Sequence, residues 1–193
     1  MANPSDATET ARWPTARCGF LFTGGLFYLA LAGGGDAHSS ATSPASIVRC
    51  WGANQAGQLG NANTTSRSIP VTVATSVMLS RVALGRRLSC DIEPDAVAFC
   101  WGAGAAGQIG DGASASRTVP RSVLTSASFT SLAGGGGTSC GVMFGAVTTE
   151  DKTVIISHRS QLCWGSNATG QHGRGSTISS TTPTAAATGL TFP

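Results

Sequence analysis

The chain has 193 residues, of which 11% are charged and 26 are glycine, whereas about a quarter of the residues of a typical soluble protein are charged. Its formal net charge is +3, Lys152 is its only lysine, and no block of Lys or Arg occurs, so nothing supports a nucleic-acid partner. Runs of Glu, Lys, Ala and Leu are also missing, and a sequence dominated by Ser, Thr, Val and Gly predicts short strands joined by turns.

Residues 1–28 form a leader that is polar up to position 18 and carries Arg12 and Arg17. Gly19–Ala32 then reads GFLFTGGLFYLALA, mostly apolar and ending in Ala30-Leu31-Ala32. Two arginines ahead of an apolar run that closes on an A-x-A site have the form of a signal peptide, with its apolar region reaching about residue 32. The same residues also read as a buried strand. The run is short of the roughly 20 residues a membrane-crossing helix needs, so no stable membrane span is predicted.

Beyond the leader the chain repeats. CWGANQAGQLG at Cys50–Gly60 recurs as CWGAGAAGQIG at Cys100–Gly110 and as CWGSNATGQHG at Cys163–Gly173. Gly85 and Gly135, Cys90 and Cys140, and Leu79 and Phe129 each stand 50 positions apart, and Pro70, Pro120 and Pro183 each lie 20 positions after their cysteine. Three units follow, 29–78, 79–128 and 129–191, the last longer by 13 residues inserted between Cys140 and Cys163. Strands are predicted at 129–133, 139–143, 161–165 and, beside the proline, 69–73, with Gly and Pro punctuating their ends. Three or four short strands per unit of about 50 residues match one propeller blade.

These residues resemble the regulator of chromosome condensation repeat family. The W-G-x-N-x-x-G-Q-L-G core with a trailing Pro-Val carries the resemblance, together with the aliphatic–Ala–x-Gly strand and the His38-Ser39 pair. It covers about residues 29–191 and implies an all-β fold of four-stranded propeller blades, usually seven to a ring. With three repeats the expectation here is an incomplete or open ring, belonging to a longer protein or completed by further blades or chains. The resemblance also implies an alternative function, an intracellular, cytoplasmic or nuclear regulator of the guanine-nucleotide-exchange kind, although one fold hosts many functions.

Cys90 and Cys100 flank a hairpin whose turn is predicted at 93–96, and Cys140 and Cys163 hold the same positions around the longer hairpin. Cysteines facing one another across antiparallel strands are within bridging reach, so two disulfides are predicted, and with them an oxidising, extracellular or cell-surface setting. The nine-residue gap does not have zinc-site spacing, and neither a metal nor a cofactor is expected. Ser40 replaces the partner of Cys50, which leaves Cys18 and Cys50 unassigned. The glycine runs lack the Gly-Lys-Ser/Thr ending of a phosphate loop and read as tight strand ends, while Trp51, Trp101 and Trp164 read as packing between blades.

His38, His158 and His172 stand in unrelated contexts, and no Gly-x-Ser-x-Gly elbow occurs, so the chain is not expected to be an enzyme. His172 stands where the other copies have Leu59 and Ile109, and reads as a polar ring tolerated in a relaxed terminal repeat. Asn63 and Asn167 begin glycosylation sequons. The insertion at 140–163 predicts a hairpin with six or seven extra residues per arm. Its tip, with Glu150, Asp151 and Lys152, and its edge, with Val154 and Ile156, are the candidate contacts for a protein partner by strand addition. The sequence thus predicts a non-catalytic protein-binding or scaffold propeller.

Overall fold

The computed structural model describes residues 30–33, 37–148 and 154–186. The leader 1–28, with Cys18, therefore lies outside the described residues, as do Glu150, Asp151 and Lys152 at the hairpin tip.

All the described elements are strands. They form three four-stranded antiparallel sheets, each falling within one repeat unit. The first comprises β1 (Ala30–Gly33), β2 (His38–Thr42), β3 (Val48–Gly52) and β4 (Arg67–Thr72). The second comprises β5 (Ala83–Leu84), β6 (Leu88–Ile92), β7 (Ala98–Gly102) and β8 (Arg117–Ser122). The third comprises β9 (Phe129–Gly134), β10 (Thr138–Thr148), β11 (Val154–Gly165) and β12 (Ser180–Ala185). Strand order follows chain order in every sheet, which is the meander of a propeller blade. The apolar run of the leader thus ends in a strand, since Ala30 to Gly33 pair with Thr42 to Ser39.

The repeated prolines explain themselves through this order. Pro70, Pro120 and Pro183 lie in β4, β8 and β12, the last strand of each sheet, where a missing N–H costs no ladder bond on the outer side. The glycine of each Cys-Trp-Gly is equally determined by position. Gly52, Gly102 and Gly165 have φ of 105°, 105° and 95°, and a Cβ on any of them would run into the carbonyl oxygen of Ala37, Arg87 or Gly137.

No blade encloses a core by itself. One apolar cluster joins Val48, Cys50, Leu59 and Val73 of the first blade to Leu79 and Trp101 of the second. The other joins Leu88, Ile92, Ile109 and Val123 of the second blade to Phe129 and Trp164 of the third, whose rings meet at 5.9 Å. Each unit therefore buries its apolar face only by stacking on a neighbour, as in other repeat folds.

Candidate functional site

The two blade interfaces share a clasp. The carbonyl of Gln58 accepts the Trp101 indole N–H at 3.0 Å and the Ser89 hydroxyl at 2.8 Å. One repeat later the Gln108 carbonyl accepts Trp164 at 3.0 Å and Ser139 at 2.8 Å. Gly60 and Gly110 keep the space beneath each indole open, for a Cβ there would lie 2.6 Å from the Trp101 or Trp164 Nε1. Backbone bonds repeat as well, from Ala62 N–H to the Thr118 carbonyl and from Gly112 N–H to the Thr181 carbonyl. Gln-aliphatic-Gly and Cys-Trp-Gly are thus the two halves of one interblade joint. Trp51, whose blade has no predecessor among the described residues, is half-buried and has no such partner among them.

Within each blade the Asn of W-G-x-N ties down the loop that follows. Asn54 donates to the Asn63 and Thr65 carbonyls at 2.9 and 3.1 Å and accepts from Leu59 N–H. Asn167 donates to the Ser176 and Ile178 carbonyls at 2.8 and 3.1 Å and accepts from His172 N–H. In the second blade Gly104 takes this place, and Arg117 paired with Asp111 at 2.6 Å secures the loop. Asn167, the second sequon position, is wholly buried in the folded chain with both amide ends engaged. Asn63 is half-buried, and its amide oxygen accepts from Thr65 N–H.

The first interface departs from the second in polarity. Facing the second blade, β2 presents His38, Ser40 and Thr42 where β6 presents Leu88, Cys90 and Ile92 to the third. Across from them stands Asp91, fully buried, where the third blade has Gly141. A Cβ on Gly141 would collide with the Phe129 ring, whereas Leu79 holds the place of Phe129 in the second blade and leaves room for a carboxylate. Asp91 accepts the Ser80 and Arg81 N–H groups at 2.8 and 2.7 Å. It thereby takes up amides beside β5, a strand of two residues against the six of β9. Burial pushes its pKa up to about 6, against the lowering effect of those amides.

This pocket contains a His–Ser pair but no nucleophile. Ser89 donates its proton to the Gln58 carbonyl, so the 3.0 Å contact with His38 Nε2 must be a bond donated by the imidazole. A hydroxyl held that way, fully buried, is not activated for attack. Burial also lowers the His38 pKa, keeping the ring neutral. Cys50 is buried and unbridged, and burial, followed by the Asp91 carboxylate, pushes its thiol up to about 12. At neutral pH it is an inert thiol. His38 Nδ1, Ser40 Oγ, Thr42 Oγ1 and Asp91 Oδ2 have no partner among the described residues.

His172, the polar ring at an otherwise aliphatic position of the repeat, is buried. It is 1% exposed, neither ring nitrogen has a partner among the described residues, and burial, then Arg174, lowers its pKa.

The cysteine pairs sit on equivalent rungs. Cys90 faces Cys100, and Cys140 faces Cys163, each with Cα atoms 4.1 Å apart and a disulfide between them. Ser40 faces Cys50 on the corresponding rung of the first blade. The hairpin turn of the second blade falls at 93–96, closed by a bond from Ala96 N–H to the Glu93 carbonyl.

The third blade carries the largest departure from the repeat. Its β10 and β11 run for 11 and 12 residues, against five each for β6 and β7. They stay paired from Thr138–Gly165 out to Thr148–Val154, with one bulge beside Gly145. The flanking strands do not follow: β9 pairs no further than Met143, and β12 begins pairing at Leu162. A two-stranded ribbon therefore extends beyond the blade, unpaired by β9 and β12 along its outer edges. Val154 and Ile156 lie on its β11 side, opposite Thr148 and Ala146. No helix among the described residues is long and apolar enough to cross a membrane.

The sequence matches the regulator of chromosome condensation (RCC1) repeat over residues 48–91 and 95–142. Among solved structures, Prp20p of Saccharomyces cerevisiae, studied for its binding to Gsp1p and histones, is similar with a TM-score of 0.68 and 20% identity, over 82% of this chain and 38% of that one. The yeast protein bound to Kap60 gives 0.65 and 19% identity, over 82% of this chain and 36% of that one. Human WBSCR16 gives 0.59 and 18% identity, over 88% of this chain and 55% of that one. The chain thus spans between about a third and about a half of these neighbours, and identities this low speak for the fold alone. No curated protein matches the sequence significantly.

Proposed function

As a chain of regulator of chromosome condensation repeats folded into propeller blades, the protein is, we propose, a non-catalytic protein-binding scaffold of the extracellular space or cell surface. The observation that carries this reading is the ribbon of β10 and β11. The ribbon extends past the flanking strands β9 and β12, with backbone N–H and C=O groups along both edges. Such an edge accepts an extended segment of a partner as an added strand, with alternate side chains supplying selectivity. Glu150, Asp151 and Lys152 at the tip, and Val154 and Ile156 on the edge, are the proposed contacts, and Asn63 remains the proposed glycosylation position. The two disulfides support an oxidising compartment.

The test is a chain whose residues 143–160 are replaced by the short turn 93–97 of the second blade. A partner identified by crosslinking to the intact ribbon at the cell surface should lose at least tenfold in affinity, about 1.4 kcal/mol. Undiminished affinity of the shortened chain would refute the assignment.

The similarity to Prp20p, which binds Gsp1p and histones, supports a second reading as an intracellular exchange regulator. The disulfides favour the first. Acceleration of guanine-nucleotide release from a small GTPase by the purified chain would reverse that preference.

A further inference from the structure

The joint between the first and second blades buries more side-chain oxygen than its own groups pair. β2 turns Ser40 and Thr42 to the same side as His38, whose ring meets Ser89 of β6 at 3.0 Å. Ser40 shares a rung with Cys50, and Asp91 of β6 stands close enough for its carboxylate to act on the Cys50 thiol. Ser40, Thr42 and Asp91 are 0%, 5% and 0% exposed, yet Ser40 Oγ, Thr42 Oγ1 and Asp91 Oδ2 have no partner among the described residues. A buried polar atom left this way is costly, and an ionised carboxylate most of all. Asp91 also lacks a counter-charge among those residues. Its Oδ1 takes the Ser80 and Arg81 amides, the Arg81 guanidinium donates to the Thr130 carbonyl, and His38 is neutral with its Nε2 proton on Ser89. The second joint is built otherwise. Cys90, Ile92 and Gly141 hold the places of Ser40, Thr42 and Asp91 and bring no side-chain oxygen. Ser40, Thr42 and Leu79 are each smaller than their counterparts Cys90, Ile92 and Phe129, so the volume they give up is set against the one carboxylate gained.

From these unpartnered oxygens and the missing counter-charge we propose that the first joint is a binding site for a small monovalent cation of the sodium kind. Asp91 Oδ2, Ser40 Oγ and Thr42 Oγ1 hold it, with water completing its shell. Oxygen donors of this sort suit hard cations. One carboxylate among neutral hydroxyls balances one positive charge, whereas calcium takes about six to eight oxygens, several of them from carboxylates. The ion bridges β2 of one blade and β6 of the next, so it binds the folded joint and not the unfolded chain. It thereby fastens at the first joint what Cys90, Ile92 and Phe129 hold by apolar packing at the second.

Urea unfolding of the full oxidised chain, with sodium chloride exchanged for choline chloride at constant ionic strength, is the test. The folded-to-unfolded ratio should rise about tenfold once sodium reaches about ten times its dissociation constant. The sodium NMR line should broaden in the presence of the native protein. Asp91→Asn keeps the side chain's shape and an acceptor for the Ser80 and Arg81 amides, and should abolish both effects. Thr42→Val, of similar shape but without the oxygen, should weaken both, and serves alone if the first variant does not fold. Identical unfolding in the two salts without line broadening would overturn the proposal and leave water to satisfy these oxygens. So would a sodium response that survives both substitutions, or a stronger response to calcium at the same ionic strength. Because a bound cation also favours the charged carboxylate, the titration of Asp91 is followed in choline salts.

Discussion

Gly141 and Asp91 occupy the same rung of neighbouring blades, and the residue beside each decides which is tolerated. Phe129 fills the space at Gly141, and Leu79 leaves it open at Asp91. Gly141→Ala should destabilise by about 1–3 kcal/mol through overpacking. Phe129→Leu should recover part of that loss, giving a coupling energy of about 1 kcal/mol in a denaturant double-mutant cycle. Strict additivity would show that the two sites are independent. Asp91 makes a further prediction about pH. Its folded pKa is raised, from 3.8 to about 6, so the unfolded chain gives up this proton first as pH rises. The group therefore costs nothing below its unfolded value, and costs up to about 3 kcal/mol once pH exceeds about 6. The stability of the wild type minus that of Asp91→Asn should rise by that order as pH falls from 7.5 to 4. Taking this difference cancels His38, whose lowered pKa acts with the opposite sign and removes stability as pH falls below 6.5. A flat difference would show that Asp91 is solvated. The sequence contained this polar site, since the 50-residue register aligns Asp91 with Gly141 and Leu79 with Phe129. It could not show that these positions face one another across a blade interface. Asn167 is the reverse case: its sequon was plain, and only the fold reveals that the amide is spent on the Ser176 and Ile178 carbonyls.

At the scale of elements, the hairpin disulfides close loops with sequence separations of 10 and 23. In the chain-entropy account each contributes about 3 kcal/mol by restricting the unfolded chain, the longer loop somewhat more. Replacing Cys140 and Cys163 by Ala should therefore lower the urea midpoint at least as far as replacing Cys90 and Cys100. The reverse order would mean that native contacts, rather than loop length, set the contribution. The strands themselves were legible because Gly and Pro mark their ends and because the repeat supplies three readings of each one. The pairing of Cys90 with Cys100 needs one residue more than the 93–96 turn, for the ladder sets Ile92 opposite Ala98 with 93–97 between them, and that count places both cysteines on one rung. The limits of β9 and β12 along the ribbon were not legible. Nothing in the residues after Met143 states that a flanking strand has stopped; only the ladder does.

Across the whole molecule, cohesion resides between blades. Each apolar cluster is shared by two blades, and each joint draws an indole and a hydroxyl onto one carbonyl. Stability should then depend on nearest-neighbour contacts, as in other repeat proteins. Under the proposed scaffold function such an arc would support the ribbon, and the bridges that close two of its hairpins favour the proposed oxidising compartment. Alkylation of the natively produced protein, denatured without reductant and read by intact mass, tests that scaffold reading most directly. The predicted result is that Cys90, Cys100, Cys140 and Cys163 resist labelling until reductant is added, while Cys50 labels at once. Labelling of all four without reductant would contradict it.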